Sequence, residues 1–253
     1  MIRVAAVGDV HLGEDNAGRL RPRIAPLADQ ADVLLLAGDL TRHGSLDEGR
    51  LVAEEFGNLP VPVVAVLGNH DYHSDAQDEI SKRLADAGVT VLECSSTVLA
   101  CKGGTLGVAG SKGFGGGFAG KCATAFGEPE IKAFVSHTQR IADGLGRELA
   151  SFDADYRVAL THYSPVKDTL AGEPPEIYPF LGSYLLAEAV DATSTDLAVH
   201  GHAHFGTEKG MTPAGVRVRN VALPVLGRAY AVYCLNHKDR EMAQAGDVLE
   251  RIG

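Results

Sequence analysis

Five places in this chain set carboxylate, imidazole and amide side chains directly after a run of apolar residues. Asp9 and His11 follow the run at 4–7, Asp39 the run at 33–37, Asn69 and His70 the run at 61–67, His162 the run at 156–161, and His202 with His204 the run at 197–199. Taken singly, Asp or Asn after a strand often caps the next helix; recurrence at five strand ends is what points to a shared site. Oxygen and imidazole donors without a thiolate suit borderline divalent metals such as Mn2+, Fe2+ and Zn2+. A closed structural zinc site would use four ligands rich in Cys, so two catalytic ions with open coordination positions fit better.

The elements that must position these residues read as follows. An apolar run stopping at a glycine is a buried parallel strand that delivers its next residues to a sheet's carboxyl edge. Strands are expected at 3–7, 33–37 and 61–67, with helices at 20–29 (broken by Pro22 and Pro26), 45–56 and 75–87, the last carrying Ile80, Leu84 and Ala87 at helical spacing. This alternation implies right-handed crossovers and a parallel sheet covered on both faces. After Gly88, short strands at 89–92, 97–101 and 105–109 resemble an antiparallel extension. The stretch 110–127 holds seven glycines without P-loop spacing; it reads as an ordinary flexible loop or as a lid over a substrate. A long helix at 129–150 and strands at 156–161, 196–199, 216–221 and 229–234 follow, and the charged tail at 237–253 is either a docked helix or a frayed end.

With 253 residues and 45% hydrophobic content, the chain reads as a single domain over 1–253. Lys plus Arg number 23 against 33 Asp plus Glu, a net charge of −10 that argues against an extended nucleic-acid partner. A phosphate ligand held locally by metal is still allowed. The N-terminal apolar stretch is too short for a signal sequence, and no run of apolar residues is long enough for a membrane span. Cys94, Cys101, Cys122 and Cys234 lack C-x-x-C spacing and read as reduced core thiols, which points to the cytoplasm.

In order along the chain, Gly8-Asp9-Val10-His11, Gly38-Asp39, Gly68-Asn69-His70-Asp71, His162 and Gly201-His202-Ala203-His204 resemble the calcineurin-like metallophosphoesterase pattern of D-x-H, G-D, G-N-H-[DE], a lone His and G-H-x-H. The resemblance spans residues 8–204 and implies an α/β fold, a four-layer αββα sandwich of two mixed sheets flanked by helices. It further implies two divalent metal ions, Mn2+ foremost, with Fe, Zn2+ or Mg2+ as alternatives. One would be held by Asp9, His11 and His204 and the other by Asn69, His162 and His202, with Asp39 bridging. A bridging carboxylate offsets the repulsion of two dications, and a shared water loses a proton near neutral pH. The implied chemistry is in-line attack of that hydroxide on phosphorus. His70 matches the family's catalytic histidine near the departing oxygen, and Asp71 is expected to orient it.

Among the other histidines, His200 is expected to be a hydrogen-bonded core imidazole, His73 a candidate for the pocket rim, and His43, His137 and His237 surface residues. Arg42 and Tyr163 flank ligands and read as packing residues or substrate contacts. The text Gly38-Asp39-Leu40-Thr41-Arg42-His43-Gly44 lacks the family's protein-phosphatase signature G-D-x-V-D-R-G, and Asp71 stands where the protein phosphatases have the Glu of G-N-H-E. The Gly8–Gly13 start looks like the double-strand-break nucleases, which carry DNA-binding segments that an acidic chain of this size leaves little room for. The motif forms are closest to class III cyclic-nucleotide phosphodiesterases. The expected activity is therefore a small-molecule phosphodiesterase, cyclic nucleotides included, with a nuclease or a non-catalytic scaffold of the same fold as alternatives.

Overall fold

Alternation along apolar strands decides the layers. The computed structural model describes residues 1–236, so the expectations for the tail, His237 included, lie outside the described residues. Strand β1 (Ile2–Val7) turns Ile2, Val4 and Ala6 to one face and Ala5 and Val7 to the other, all of them buried. β2 (Val33–Ala37), β3 (Val63–Val66) and β4 (Val89–Val91) line up parallel to it in the order β1-β2-β3-β4. The crossovers are α1 (Arg21–Ile24) with α2 (Leu27–Gln30), then α3 (Leu46–Phe56), then α4 (Gln77–Asp86). Pro22 lies in the first turn of α1 and Pro26 is the N-cap of α2, which splits the expected 20–29 helix as the prolines dictate.

The second sheet begins with an antiparallel hairpin, β5 (Ser95–Cys101) and β6 (Gly104–Ser111), and a small ribbon of β7 (Gly117–Phe118) and β8 (Lys121–Cys122) follows. Helix α5 (Pro129–Ser151) leads to β9 (Tyr156–Thr161), which runs parallel to β6. Next come α6 (Tyr178–Leu181), α7 (Tyr184–Asp191) and β10 (Leu197–His200), then β11 (Lys209–Met211), β12 (Arg217–Asn220), α8 (Leu223–Leu226) and β13 (Ala231–Leu235). β13 returns to pair antiparallel with β1. Among the described residues the two large sheets are β13-β1-β2-β3-β4 and β11-β12-β10-β9-β6-β5.

Period-two alternation builds three buried seams from these sheets. Between them, Val4, Val33, Leu35, Val64 and Val66 meet Leu106, Val108, Tyr156, Val158, Leu160 and Val199. Outside the first sheet, Leu34, Leu36 and Ala65 pack on Ile24, Leu27, Val52, Phe56, Ile80 and Leu84 of α1 to α4. Outside the second, the small residues Ala109, Ala159 and Ala198 receive Leu145 and Leu149 of α5 and Leu186 and Val190 of α7. The layers are helix, sheet, sheet, helix, with both sheets mixed, as the motif resemblance implies.

Three expectations are corrected. The strand at 89–92 is no antiparallel extension: it joins the first sheet parallel to β3, because α4 returns the chain over the sheet face before it. Of the three strands expected there, β5 and β6 form the antiparallel pair, and β6 runs on through the small residues Gly110 and Ser111. The cysteines are not core thiols. Cys234 is exposed on edge strand β13 and the others are half-buried, although none is disulfide-bonded. The glycine-rich stretch is not a free loop either. Gly116 N–H donates to Pro179 O (2.7 Å), Gly117 N–H to Gly182 O (2.9 Å) and Thr138 Oγ1 to Gly115 O (2.5 Å), so α5 and the 179–182 segment hold it.

Candidate metal centre

The carboxyl ends of β1, β2 and β3 in one sheet and of β9 and β10 in the other open on the same edge, and their loops are tied to one another. Asp9 N–H donates to Gly38 O (2.9 Å), His11 N–H to Asp39 O (3.0 Å) and Gly201 N–H to His162 O (3.1 Å). Two buried carboxylates complete the lacing. Asp39 Oδ1 accepts from His70 N–H (2.8 Å), and the Asp9 carboxylate accepts from His202 N–H (2.9 and 3.0 Å). Asp9, His11, Asp39 and His202 all have positive φ, an uncommon conformation for residues with a Cβ that the surrounding hydrogen bonds must sustain. Two glycines make room. A Cβ on Gly38 would lie 2.7 Å from the His162 ring, and one on Gly68 only 2.1 Å from Asp39 Oδ1.

All seven residues expected to bind metal converge. Asp9, His11, Asp39 and His204 form one group of potential ligand atoms within 4.8 Å of one another, and Asp39, His162 and His202 form a second. Asn69 joins the second group, its Oδ1 2.9 Å from His162 Nε2. Asp39 belongs to both groups, with Oδ2 3.7 Å from His11 Nε2 and Oδ1 3.3 Å from His162 Nε2. His204 Nε2 sits 2.9 Å from Asp9 Oδ1 and 3.4 Å from His11 Nε2.

Backbone carbonyls fix which ring nitrogen faces the centre. His162 Nδ1–H donates to Ala37 O (2.9 Å), which leaves Nε2 inward, and His202 Nε2–H donates to Phe180 O (3.2 Å), which leaves Nδ1. Burial lowers His11 to about 4 and His202 to about 3, and takes His162 well below its ordinary value, so these rings keep their lone pairs at neutral pH. Burial raises Asp9, and the neighbouring charge of Asp39 adds to this, while the hydrogen bond to Asp9 raises His204. Two buried carboxylates beside three imidazoles that burial keeps neutral are a donor set short of positive charge. Divalent cations fit it, and the oxygen–nitrogen mixture is that of borderline ions.

His70 stays outside both groups of ligand atoms. Its Nδ1 is bonded to Arg42 O (2.7 Å), its ring meets His11 edge-on at 4.5 Å, and Nε2 lies 4.0 Å from Asp39 Oδ2 with the side chain 43% exposed. The expected role of Asp71 as its orienting carboxylate is corrected here. Asp71 is fully buried and accepts from Gly68 N–H (2.8 Å), Leu40 N–H (3.2 Å), Thr41 N–H (2.7 Å) and Thr41 Oγ1 (2.6 Å). Its carboxylate welds the second and third loops together, and a carbonyl orients the ring instead. Burial, with Asp39 nearby, pushes Asp71 up to about 6. Replacing it by Ala strands four donors, so Asp71→Ala is expected to lower unfolding free energy by about 3 kcal/mol or more in urea melts of metal-free protein.

The remaining residues sort cleanly. His200 is the expected core imidazole, bonded to Thr169 Oγ1 (2.8 Å) and Gly201 O (2.7 Å). His43 and His73 are exposed and face each other at 6.1 Å, whereas His137 is half-buried against Phe114 rather than a surface residue, because α5 packs over the glycine-rich stretch. Arg42 pairs with Asp15 (2.8 Å), and Tyr163 is buried with its ring 4.4 Å from His202. Sequence reasoning missed Lys112, whose carbonyl accepts from His162 N–H and Tyr163 N–H at 3.0 Å each. The small residues Gly110 and Ser111 hid the signal, an extra strand end at the same edge.

Comparison with known proteins gives the same picture. The family model for calcineurin-like phosphoesterases matches residues 2–206. No curated protein matches the chain. Among solved structures, the phosphopantetheinyl hydrolase PptH from Mycobacterium tuberculosis is similar, with 16% identity, TM-score 0.63 and coverage of 92% of this chain and 96% of its own. GAP50, the anchor in the inner membrane complex of Plasmodium, matches at 12% identity and TM-score 0.55, over 88% of this chain and 72% of its own. Purple acid phosphatase PPD1 from yellow lupin (Lupinus luteus) matches at 16% and 0.51, over 93% and 46%. These likenesses extend the shared fold to most of the chain. With two mixed sheets flanked by helices and the family model spanning most of its length, the chain belongs to the calcineurin-like phosphoesterase family.

Proposed function

We propose that the chain is a phosphodiesterase for small phosphate esters, cyclic nucleotides among them, working with two divalent ions of which Mn2+ is the first candidate. Family membership supports metal-dependent phosphoester hydrolysis in general. The observation that carries the two-ion reading is the sharing of Asp39 by two groups of ligand atoms, and the preference for diesters rests on the motif forms Gly38-Asp39-Leu40 and Gly68-Asn69-His70-Asp71. Asp9, His11 and His204 would hold one ion and Asn69, His162 and His202 the other, with Asp39 between them. When bound, the ions supply Lewis-acid charge for the phosphoryl oxygens and a water acidic enough to ionise near neutral pH. The chain's own contribution is His70. Anchored through Nδ1–H by the Arg42 carbonyl, it presents Nε2 to the cleft, where as imidazolium it donates a proton or a charge-assisted hydrogen bond to the departing ester oxygen.

One similar fold belongs to a protein described as an anchor, so fold alone does not make an enzyme. Retention of His70 beside a full donor set favours catalysis over a scaffold. The net charge of −10 favours a small substrate over extended nucleic acid. Among the described residues no helix is long and apolar enough to cross a membrane. Four unpaired cysteines fit a reducing compartment, and we place the chain in the cytoplasm. The test is release of nitrophenol from bis-p-nitrophenyl phosphate and from p-nitrophenyl phosphate with Mn2+, Fe2+, Zn2+ or Mg2+. Preference for the diester is expected. Preference for the monoester would overturn the phosphodiesterase reading, and no turnover with any ion would favour the scaffold. DNA cleavage that persists through purification and disappears in His70→Ala would favour the nuclease.

A further inference from the structure

We propose that Lys112 is a substrate-binding residue whose ammonium receives an anionic oxygen of the substrate on the Asn69–His162–His202 side of the cleft. The proposal rests on the phosphoesterase reading and deepens it. Lys112 directly follows β6, and its carbonyl is bonded to the backbone of the candidate ligand His162 and of Tyr163. Its Nζ hangs over three rings contributed by three different loops: Tyr72 at 4.9 Å, Phe114 at 5.1 Å and Tyr163 at 5.3 Å. Tyr72 lies two positions beyond His70 and Tyr163 one beyond His162, so the cage is assembled from the same strand ends as the metal centre.

Aromatic faces attract an ammonium but accept none of its three hydrogen bonds in the manner of an oxygen. Among the described residues no carboxylate oxygen lies within ion-pair distance of Nζ. The nearby Glu93 is engaged elsewhere, accepting from Lys112 N–H (2.9 Å) and Ser111 Oγ (2.9 Å). Burial lowers the pKa of Lys112, with Glu93 and Asp39 pulling the other way, and the charge of Lys112 is felt in turn at His162. A cation that has given up much of its water, has no oxygen partner among the described residues and stands beside the candidate metal centre is arranged to meet an anion. The oxygen comes either from the phosphoryl group under attack or from a second phosphate of the same substrate; both offer the same charge-assisted bond.

The experiment is calorimetric binding of inorganic phosphate, thymidine 5′-phosphate and thymidine 3′,5′-bisphosphate to the Mn2+-loaded wild type, Lys112→Met and Lys112→Arg. Met keeps the stem in the aromatic cage and removes only the charge. Metal content and melting temperature of each variant check that centre and fold survive. Lys112→Met is expected to weaken binding about tenfold or more, the scale for losing a hydrogen bond to a charged group, with partial recovery in Lys112→Arg. Equal weakening for all three ligands assigns the phosphoryl oxygen, and weakening for the bisphosphate alone assigns a second phosphate. Unchanged affinity for all three overturns the proposal. Wild-type turnover of bis-p-nitrophenyl phosphate, run alongside, reports separately on the phosphoesterase reading, so failure of one is distinguishable from failure of the other.

Discussion

Asp39→Asn is expected to leave the protein folded but unable to retain metal, with less than one ion per chain after gel filtration where the wild type holds two. Among the described residues its carboxylate is the one group common to both sets of ligand atoms, so removing one charge weakens both sites together. Turnover should fall about a hundredfold or more, equivalent to about 2.7 kcal/mol of transition-state stabilisation. The stability of the metal-free protein should move in the opposite direction. Asp39 raises the pKa of both Asp9 and Asp71 across a buried space, so neutralising it relieves repulsion. In EDTA the variant should therefore melt at or above the wild-type temperature. Wild type should gain stability with added Mn2+, by about 2.7 kcal/mol per site at a hundredfold excess over Kd, and the variant should gain little. Two ions per chain in Asp39→Asn would remove the basis for assigning it as the bridge.

His70→Ala is expected to do the reverse, keeping both ions and losing rate. The ring belongs to neither ligand group, and its backbone N–H, which bonds Asp39 Oδ1, survives the substitution. General acid catalysis of leaving-group departure is worth about 10²- to 10⁴-fold, and more when the leaving oxygen is basic. Turnover of an alkyl phosphodiester should thus suffer more than that of bis-p-nitrophenyl phosphate, whose leaving group needs little help. Equal slowing of both would argue that His70 binds the phosphoryl group rather than protonating the departing oxygen. A loss of metal would place it among the ligands.

The role of Asp71 shows where motif reading stops. Adjacent in sequence to His70, it looks like that ring's partner, yet its oxygens are filled by Gly68, Leu40 and Thr41, and the ring takes the carbonyl of Arg42. A backbone carbonyl leaves no trace in the sequence, because every residue has one. The same is true of the carbonyls of Ala37 and Phe180, which choose the inward nitrogens of His162 and His202. Lys112 was hidden for a related reason. Its cage draws on rings from loops about 40 and 50 residues away: pairing of β6 with β9 brings in Tyr163, and packing of the first sheet on the second brings in Tyr72.

The amino-acid sequence by itself determined the alternating strands and helices and, through the motif resemblance, the layers and the seven side chains that converge. Strand ends and helix spacing are local consequences of apolar periodicity, and a side chain that follows a buried parallel strand has one edge of the sheet to go to. The tertiary structure alone decided which ring nitrogens point inward, that Asp71 welds loops, and that Lys112 stands caged beside the centre. Those outcomes depend on left-handed backbone at Asp9, His11, Asp39 and His202 and on hydrogen bonds between segments far apart in the chain, neither of which any local pattern encodes.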